Sequence, residues 1–300
     1  MSRVGLAVAV SRPYYWLVTC WLYLLPTGGR YELFDQLPFW LGLSYCTLPL
    51  NLFCYLMNDA SDVKVDAPNP RKGGALLGAK ADAASLRALW APAACLQLGF
   101  VLVGFAPLVG AARSCAWLGA VAAVNWLYNH GPRLSSNYAP LDLFCPCGYI
   151  LVVPLSCWLN ELPYPPTRSW VHCVFLVLRS QLWISTFDIE SDRASGRRNT
   201  AVRLGLRGAQ LLLAALLVAE SAFVLAAFED WALQSFSVAS VGLLAAQLAL
   251  LGGAAPGGKG GGDGKARPGL SPASINTTFA VLGLGGVGLM LQVWVNEAFR

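Results

Sequence analysis

Long apolar segments alternate with short polar stretches along almost the whole chain. A helix needs about 20 mostly apolar residues to cross the hydrocarbon core of a bilayer. Nine segments approach or meet this length, so the pattern predicts an all-α bundle of about nine transmembrane helices within a single domain, residues 1–300. The predicted spans are residues 14–29, 37–57, 88–110, 114–129, 141–159, 169–187, 208–228, 231–251 and 275–295.

The composition supports a membrane protein. Only 12% of the residues are charged, whereas soluble domains contain about 25%. The net charge of +5 is modest, and the chain has no basic patch with interleaved aromatic residues of the kind that binds nucleic acid. We therefore expect the lipid bilayer, and no nucleic acid, to be a partner. The opening residues lack the pattern of a signal or transit peptide.

The distribution of basic residues predicts the orientation in the membrane. If the N-terminus lies inside, 16 of the 21 lysines and arginines fall on inner loops, as the positive-inside rule requires. The other five are Arg30, Arg113, Arg168, Arg179 and Arg300. The loops after spans two and six then both lie on the inner face, which would be cytosolic or stromal.

A glycine-rich stretch over residues 252–272 separates the last two predicted spans. Its composition is typical of a flexible linker. A phosphate-binding loop is the alternative, but the stretch lacks the Gly-Lys-Ser/Thr ending that such a loop needs. We expect a flexible loop within the membrane domain.

The sequence NDASDVKVD, residues 58–66, places three acids at the end of the second span. Asp59, Asp62 and Asp66 are three and four residues apart, which puts them on one face of a helix. Like charges at this spacing repel each other, and a divalent cation would neutralise them. Mg²⁺ prefers carboxylate and water ligands and often joins carboxylates to substrate phosphates.

A second acidic cluster, DIESDRASGRR, follows the sixth span. Asp188 and Asp192 are four residues apart on one helical face, whereas Glu190 points elsewhere. Basic residues follow both clusters directly. Each cluster alone is equally well explained as a solvated helix end, but two on one side of the membrane favour a site for Mg²⁺ and diphosphate.

These motifs resemble those of the UbiA-type membrane prenyltransferases. NDASDVKVD matches the family pattern N-D-x-x-D-x-x-x-D, and DIESDRASG matches its second motif. SRPYYW at residues 11–16 resembles the opening of the family, and YNHGPR at residues 128–133 resembles its loop after span four. DIESDR and the opening are most similar to the branch that contains the lycopene elongases.

The resemblance implies a UbiA-like fold and an enzyme that transfers an isoprenyl group from its diphosphate to a hydrophobic acceptor, such as a carotenoid or a quinone-precursor ring. Asp59, Asp62 and Asp66 would hold one Mg²⁺, and Asp188 and Asp192 a second. For each basic candidate, a role as an inner-face marker is equally well supported. The substrate-binding candidates are Asn58, Arg71, Lys72, Tyr128, Arg133, Arg197 and Arg198.

Two charged residues lie deep inside predicted spans, where charges are costly and usually face a partner or a cavity. Arg179 and Glu220 are expected to form an ion pair, although Arg179 facing the acceptor is the alternative. Intramembrane charges also occur in transporters, and a non-catalytic scaffold is a further interpretation. A transporter would more often show repeated halves and helices broken near the midplane, and a scaffold would not need both acidic clusters intact.

Overall fold

The computed structural model describes residues 2–67, 69, 72–74, 76–130, 136–252 and 286–300. These residues form helices and no strand, which confirms the predicted all-α class. The helices are α1 (Arg3–Val10), α2 (Pro13–Leu24), α3 (Leu37–Tyr45), α4 (Leu48–Asp66), α5 (Ala83–Arg87), α6 (Trp90–Leu98), α7 (Ala106–Val109), α8 (Ala111–Asn129), α9 (Leu141–Phe144), α10 (Val152–Leu159), α11 (Thr167–Ala194), α12 (Thr200–Ala227), α13 (Trp231–Gly252) and α14 (Gly286–Val295).

Each predicted span overlaps one helix or a run of joined helices. A π-helix, Gly99–Phe105, joins α6 to α7, and a 3₁₀ helix, Cys145–Leu151, joins α9 to α10. Within the described part of the chain, four helical segments are long and apolar enough to cross a membrane: Leu37–Lys64, Ala83–Val109, Leu141–Leu159 and Thr200–Ala227. Residues 275–285 of the ninth span, and all of the glycine-rich stretch after residue 252, lie outside the described residues.

The second span is interrupted where α3 ends and α4 begins. The interruption frees backbone carbonyl groups, which must find donors because lipid offers none. Asn51 donates to the carbonyl oxygens of Cys46 and Thr47 at 2.9 and 2.8 Å, and Thr19 donates to Cys46 at 2.5 Å. The break is therefore a hydrogen-bonded element that fixes the direction of α4.

An aromatic core stabilises the end of the bundle that lies farther from the acidic motifs. Tyr45 is fully buried, with ring centroids of Phe105 and Trp117 at 5.1 and 5.6 Å. Its hydroxyl donates to Gln97 Oε1 at 2.5 Å, and Gln97 Nε2 donates to the carbonyl of Pro49 at 2.8 Å. This contact ties α6 to the break between α3 and α4.

The two longest helices, α11 and α12, pack along each other and position the second acidic motif. Asn199 caps α12 by accepting a hydrogen bond from the Val202 amide at 2.9 Å. Asp142 of α9 accepts from the Thr200 amide and hydroxyl at 3.0 and 2.6 Å. The start of α12 is therefore held against α9, which fixes the loop that carries Arg197.

We predict that Gln97→Leu lowers the unfolding temperature of the detergent-purified protein. The change leaves the buried Tyr45 hydroxyl without its acceptor, which costs about 1–3 kcal/mol. Gln36→Leu is the matched control because Gln36 is exposed. Equal unfolding temperatures for the two variants would show that the Gln97 contact does not stabilise the bundle.

Candidate active site

The first acidic motif lies on the last turns of α4, where Asp59 and Asp62 are buried. Two basic residues neutralise Asp59. Arg12 Nη2 and Lys72 Nζ both lie 2.6 Å from Asp59 Oδ1, and Lys72 also pairs with Asp66. The motif is therefore part of a buried charge network, with partners from before α2 and from the loop after α4.

The second acidic motif lies on the last turns of α11. Asp188 and Asp192 are both buried, whereas Glu190 is exposed, as the helical spacing predicts. Asn199 donates to Asp192 Oδ2 at 2.6 Å. Asp188 Oδ1 accepts from Asn69 Nδ2 at 3.0 Å.

The two motifs meet at one site. Arg197 pairs with Asp62 of the first motif and lies 3.3 Å from Asp192 Oδ1 of the second. Asn69 adds a second link, because it follows the first motif in the chain and donates to Asp188. Helices far apart in the sequence thus present their carboxylates to one another.

Arg12 adopts an unusual conformation to reach this site. Its φ of 51° is in the left-handed region, which is uncommon for a residue other than glycine. Its guanidinium lies 4.1 Å from the centroid of the Tyr55 ring and donates to Asn58 Oδ1 at 2.8 Å. Gly78 permits the approach, because a Cβ there would lie 3.2 Å from Arg12 Nε.

A cavity of about 280 Å³ extends from the acidic motifs between the helices. Polar side chains line one end, among them Asp62, Asp66, Asp188, Asp192 and Arg197. Away from them the lining is mostly apolar and aromatic and includes Leu50, Tyr55, Val121, Tyr149, Leu176, Trp183 and Met290. The site therefore joins a charged mouth to an apolar space within the bundle.

Several predicted substrate-binding residues lie at this site. Asn58, Lys72, Tyr128 and Arg197 all line the cavity, and the Tyr128 hydroxyl accepts from Gln181 at 3.4 Å. Arg198 is exposed and is not among the lining residues. Arg71 and Arg133 lie outside the described residues, and their roles stay predictions.

Comparison with known proteins identifies the family. No protein-family model matches the chain. A lycopene elongase/hydratase from Haloarcula japonica is 30% identical over 209 residues, which cover 68% of each chain. The chain belongs to the UbiA-type membrane prenyltransferases. A lycopene elongase/hydratase from Corynebacterium glutamicum, 28% identical over 73% of this chain and 78% of that protein, supports the lycopene elongase-like branch.

The fold agrees with this family. A UbiA homolog from Archaeoglobus fulgidus, solved with DMAPP and Mg²⁺, superimposes with a TM-score of 0.59 at 17% identity. The superposition covers 95% of this chain and 99% of that one. The protein is thus a polytopic membrane enzyme with the UbiA fold and prenyltransferase activity.

Carboxylates outnumber basic groups among the described side chains of the two acidic motifs and the side chains that pair with them. Five carboxylates stand against three basic groups, Arg12, Lys72 and Arg197, so the described side chains leave two negative charges. Burial raises the pKa of the Asp192 carboxyl to about 6, although Arg197 opposes the shift. Burial also raises the pKa of Asp66, against the effect of Lys72.

The donor atoms of the site suit a hard divalent cation. Carboxylate oxygens are the ligands that Mg²⁺ prefers, and the buried Asp59 Oδ2 has no hydrogen-bond partner among the described residues. Within that part of the chain, no three His, Cys, Asp or Glu side chains are grouped closely enough to hold a metal ion. Basic and amide groups stand between the carboxylates in this structure. The carboxylate oxygens thus fit the cation by their chemistry, although the described side chains are not drawn together around one point in this structure.

Some residues at the site were not predicted from the motifs. Arg12 lies in the SRPYYW stretch, which indicated the family but gave the arginine no role. Asn199 is the N-cap of α12, and asparagine is a preferred N-cap residue, but the predicted span begins only at residue 208 and so does not mark this position. Asn69 carries no sequence signal that distinguishes it from an ordinary loop residue.

We predict that Arg12→Met destabilises the prenyltransferase strongly. Removing one partner of a buried ion pair costs up to about 3–5 kcal/mol, and the remaining contact between Lys72 and Asp59 offsets part of this loss. The unfolding temperature in detergent measures the loss, with Arg87→Met, at the exposed end of α5, as the control. If the two substitutions have the same small effect, Arg12 does not neutralise Asp59.

Proposed function

We propose that the enzyme transfers an isoprenyl group from an isoprenyl diphosphate to a hydrophobic acceptor, with Mg²⁺ as the cofactor. The observation that carries the proposal is the meeting of both acidic motifs and three basic residues at the mouth of one apolar cavity. A diphosphate fits the charged mouth, and an isoprenyl chain fits the space behind it.

The five aspartates are the proposed metal ligands. Asp59, Asp62 and Asp66 would hold one Mg²⁺, and Asp188 and Asp192 a second. When bound, the ions neutralise the negative charge that develops on the departing diphosphate. The A. fulgidus homolog bound to DMAPP and Mg²⁺ supports this assignment, since the two chains share a fold.

The basic residues bind the diphosphate oxygens in this proposal. Arg197 is planar and can donate two parallel hydrogen bonds to a phosphate, and Lys72 and Arg12 add two positive charges. With cations on the carboxylates, these three groups exchange their carboxylate partners for phosphate oxygens. Arg71, Arg133 and Arg198 stay candidates for the same role.

The apolar cavity protects the reacting carbon. Loss of the diphosphate leaves an allylic cation, which water would destroy, and a closed apolar site excludes water. The rings of Tyr55, Tyr128, Tyr149 and Trp183 line the cavity, where aromatic faces attract positive charge. Trp126, by contrast, is 52% exposed, a position suited to contact with lipid.

The acceptor proposed is a linear polyene with isoprene ends, of which lycopene is an example. The curated relatives are lycopene elongase/hydratases, and the mostly apolar lining of the cavity suits a hydrocarbon. A quinone-precursor ring is the second candidate acceptor. The acidic motifs are proposed to lie on the inner face of the membrane, as the basic residues of the loops predict.

We predict that Asp59→Asn and Asp188→Asn each reduce Mg²⁺-dependent prenyl transfer by at least about 100-fold, because each removes charge that holds a cation at the leaving group. Purified protein is incubated with labelled allylic diphosphates and acceptor, with and without Mg²⁺. Asp82→Asn, an exposed N-cap change on α5, should retain activity. Full activity in either motif variant would refute the metal assignment.

We also predict that lycopene, rather than a hydroxybenzoate ring, gains isoprene units. A lycopene-producing host that expresses the enzyme is extracted, and its carotenoids are compared by mass with those of a host expressing Asp59→Asn. The expected result is an elongated carotenoid with the intact enzyme alone. Transfer to the ring in a matched assay, with lycopene unchanged, would identify the other acceptor class.

A further inference from the structure

A second concave surface lies at the end of the bundle opposite the acidic motifs. It is a groove of about 510 Å³, lined by residues of α8, α10 and the start of α11. Asn58 donates to Asn129 Oδ1 at 2.9 Å, so the last turn of α8 adjoins the first acidic motif. Arg113, which lines the groove, precedes Asn129 by 16 residues, about 24 Å along the helix axis. It therefore lies near the opposite boundary of a hydrocarbon core that is about 30 Å thick.

The groove runs from this boundary toward the middle of the membrane. Ala116 and Ala120 follow Arg113 in the lining, three and seven residues further along one face of α8. Leu151 and Pro154 line the groove from the 3₁₀ helix and α10. Below Arg113 the groove is thus lined by small and apolar side chains.

Aromatic rings surround the charged end of the groove. The guanidinium carbon of Arg113 lies 5.4 Å from the centroid of the Trp158 ring, within the range of a cation–π interaction. Trp158 Nε1 donates to the Tyr164 hydroxyl at 2.7 Å, and Trp170 lines the same end. Tryptophan and tyrosine are the residues that concentrate at membrane boundaries. Because the Tyr164 hydroxyl accepts from Trp158, its own proton is available to an acceptor in the groove.

The groove carries a positive charge and no negative one. Within the part of the chain that the structure describes, no ion pair includes Arg113. No acidic residue is among the lining residues of the groove. A guanidinium stacked on an aromatic face can still present its N–H groups to a phosphate. The groove therefore complements an anion whose charge lies at the membrane boundary.

We propose that this groove binds one anionic phospholipid. The phosphate accepts hydrogen bonds from Arg113 and Tyr164, and an acyl chain lies against Ala116, Ala120 and Pro154. The groove and the lipid match in direction, because a phospholipid also carries its charge at the boundary and its hydrocarbon below it. Basic pockets between transmembrane helices bind lipid head groups by the same chemistry.

The charge of the lining determines the class of lipid. Lipid tails are apolar whatever the head group, so contacts of the chain do not distinguish one lipid from another. A zwitterionic head group carries an amine next to its phosphate, and the groove lining contains no acid to pair with it. An anionic head group, such as that of phosphatidylglycerol, leaves no such charge unpaired.

A lipid in the groove contacts the outside of the active-site wall. Leu151 lines both the groove and the active-site cavity. Trp117, also in the groove lining, donates to the Leu151 carbonyl at 2.7 Å, where the 3₁₀ helix passes into α10. Ala120 lines the groove, and the next residue, Val121, lines the cavity. We therefore expect the lipid to stabilise the wall of the cavity.

Native mass spectrometry of the detergent-purified full chain tests the site. The protein receives equal amounts of phosphatidylglycerol and phosphatidylcholine with identical acyl chains, and the two lipid-bound fractions are compared. The wild type should retain about tenfold more phosphatidylglycerol, because hydrogen bonds to charged groups contribute enough for such a ratio. Arg113→Gln should bring the two fractions within about twofold of each other. Phosphatidylglycerol should raise the unfolding temperature of the wild type but not of this variant.

Two further variants separate the head group from the chain. Ala120→Leu places a larger side chain in the groove and should weaken the binding of both lipids without changing their ratio. Arg168→Gln is the matched control, because Arg168 is exposed at the start of α11 and does not line the groove. It should retain the wild-type preference for phosphatidylglycerol.

Three results would overturn the inference. One is equal retention of both lipids by the wild type. Another is the same loss of preference in Arg168→Gln as in Arg113→Gln, which would show a general attraction of anions to this end of the bundle. The third is displacement of phosphatidylglycerol by lycopene, which would make the groove an acceptor site. If Ala120→Leu does not fold, the comparison of the two arginine variants decides, since both arginines are exposed.

Discussion

The neutralisation of five aspartates at one end of a membrane bundle is the constraint on which the site depends. Carboxylates at helical spacing repel each other, and burial raises the pKa of Asp192 to about 6. Arg12, Lys72 and Arg197 supply three positive charges from three separate parts of the chain. Carboxylate oxygens are the ligands that Mg²⁺ prefers, and a diphosphate that arrives with the cation would offer the basic groups new partners. Folding of the site, metal binding and substrate binding therefore all depend on the balance between these carboxylates and the positive charges near them.

The second requirement is that the charged groups and the reacting carbon occupy different parts of the cavity. A charged mouth opens into an apolar cavity lined by aromatic rings, so a cation formed there meets ring faces rather than solvent. Arg179, which pairs with Glu220, is a charged residue of the lining away from the aspartates.

Much of the fold and half of the site can be predicted from the sequence, because local patterns of residues encode them. Apolar runs of membrane length predict the spans directly, and spacings of three and four residues place Asp59, Asp62 and Asp66 on one helical face. Contacts between segments that are far apart in the sequence cannot be predicted in this way. Arg12 is indistinguishable in sequence from an inner-face arginine, because its role depends on a left-handed φ and on Gly78 across from it. Asn69 and Asn199 reach their aspartates only after the loops fold, and no local pattern encodes that approach.

The count of bound divalent cations tests the central claim most directly. Mn²⁺ accepts the same oxygen ligands as Mg²⁺ and can be counted by electron paramagnetic resonance. The purified enzyme is equilibrated with Mn²⁺ and a non-reactive thio analogue of an isoprenyl diphosphate. We predict about two bound Mn²⁺ per chain, one for each acidic motif, with loss of both occupancies when Asp59 and Asp188 are replaced together by Asn. Binding of the analogue without any Mn²⁺, or Mn²⁺ binding that survives the double substitution, would contradict this prediction.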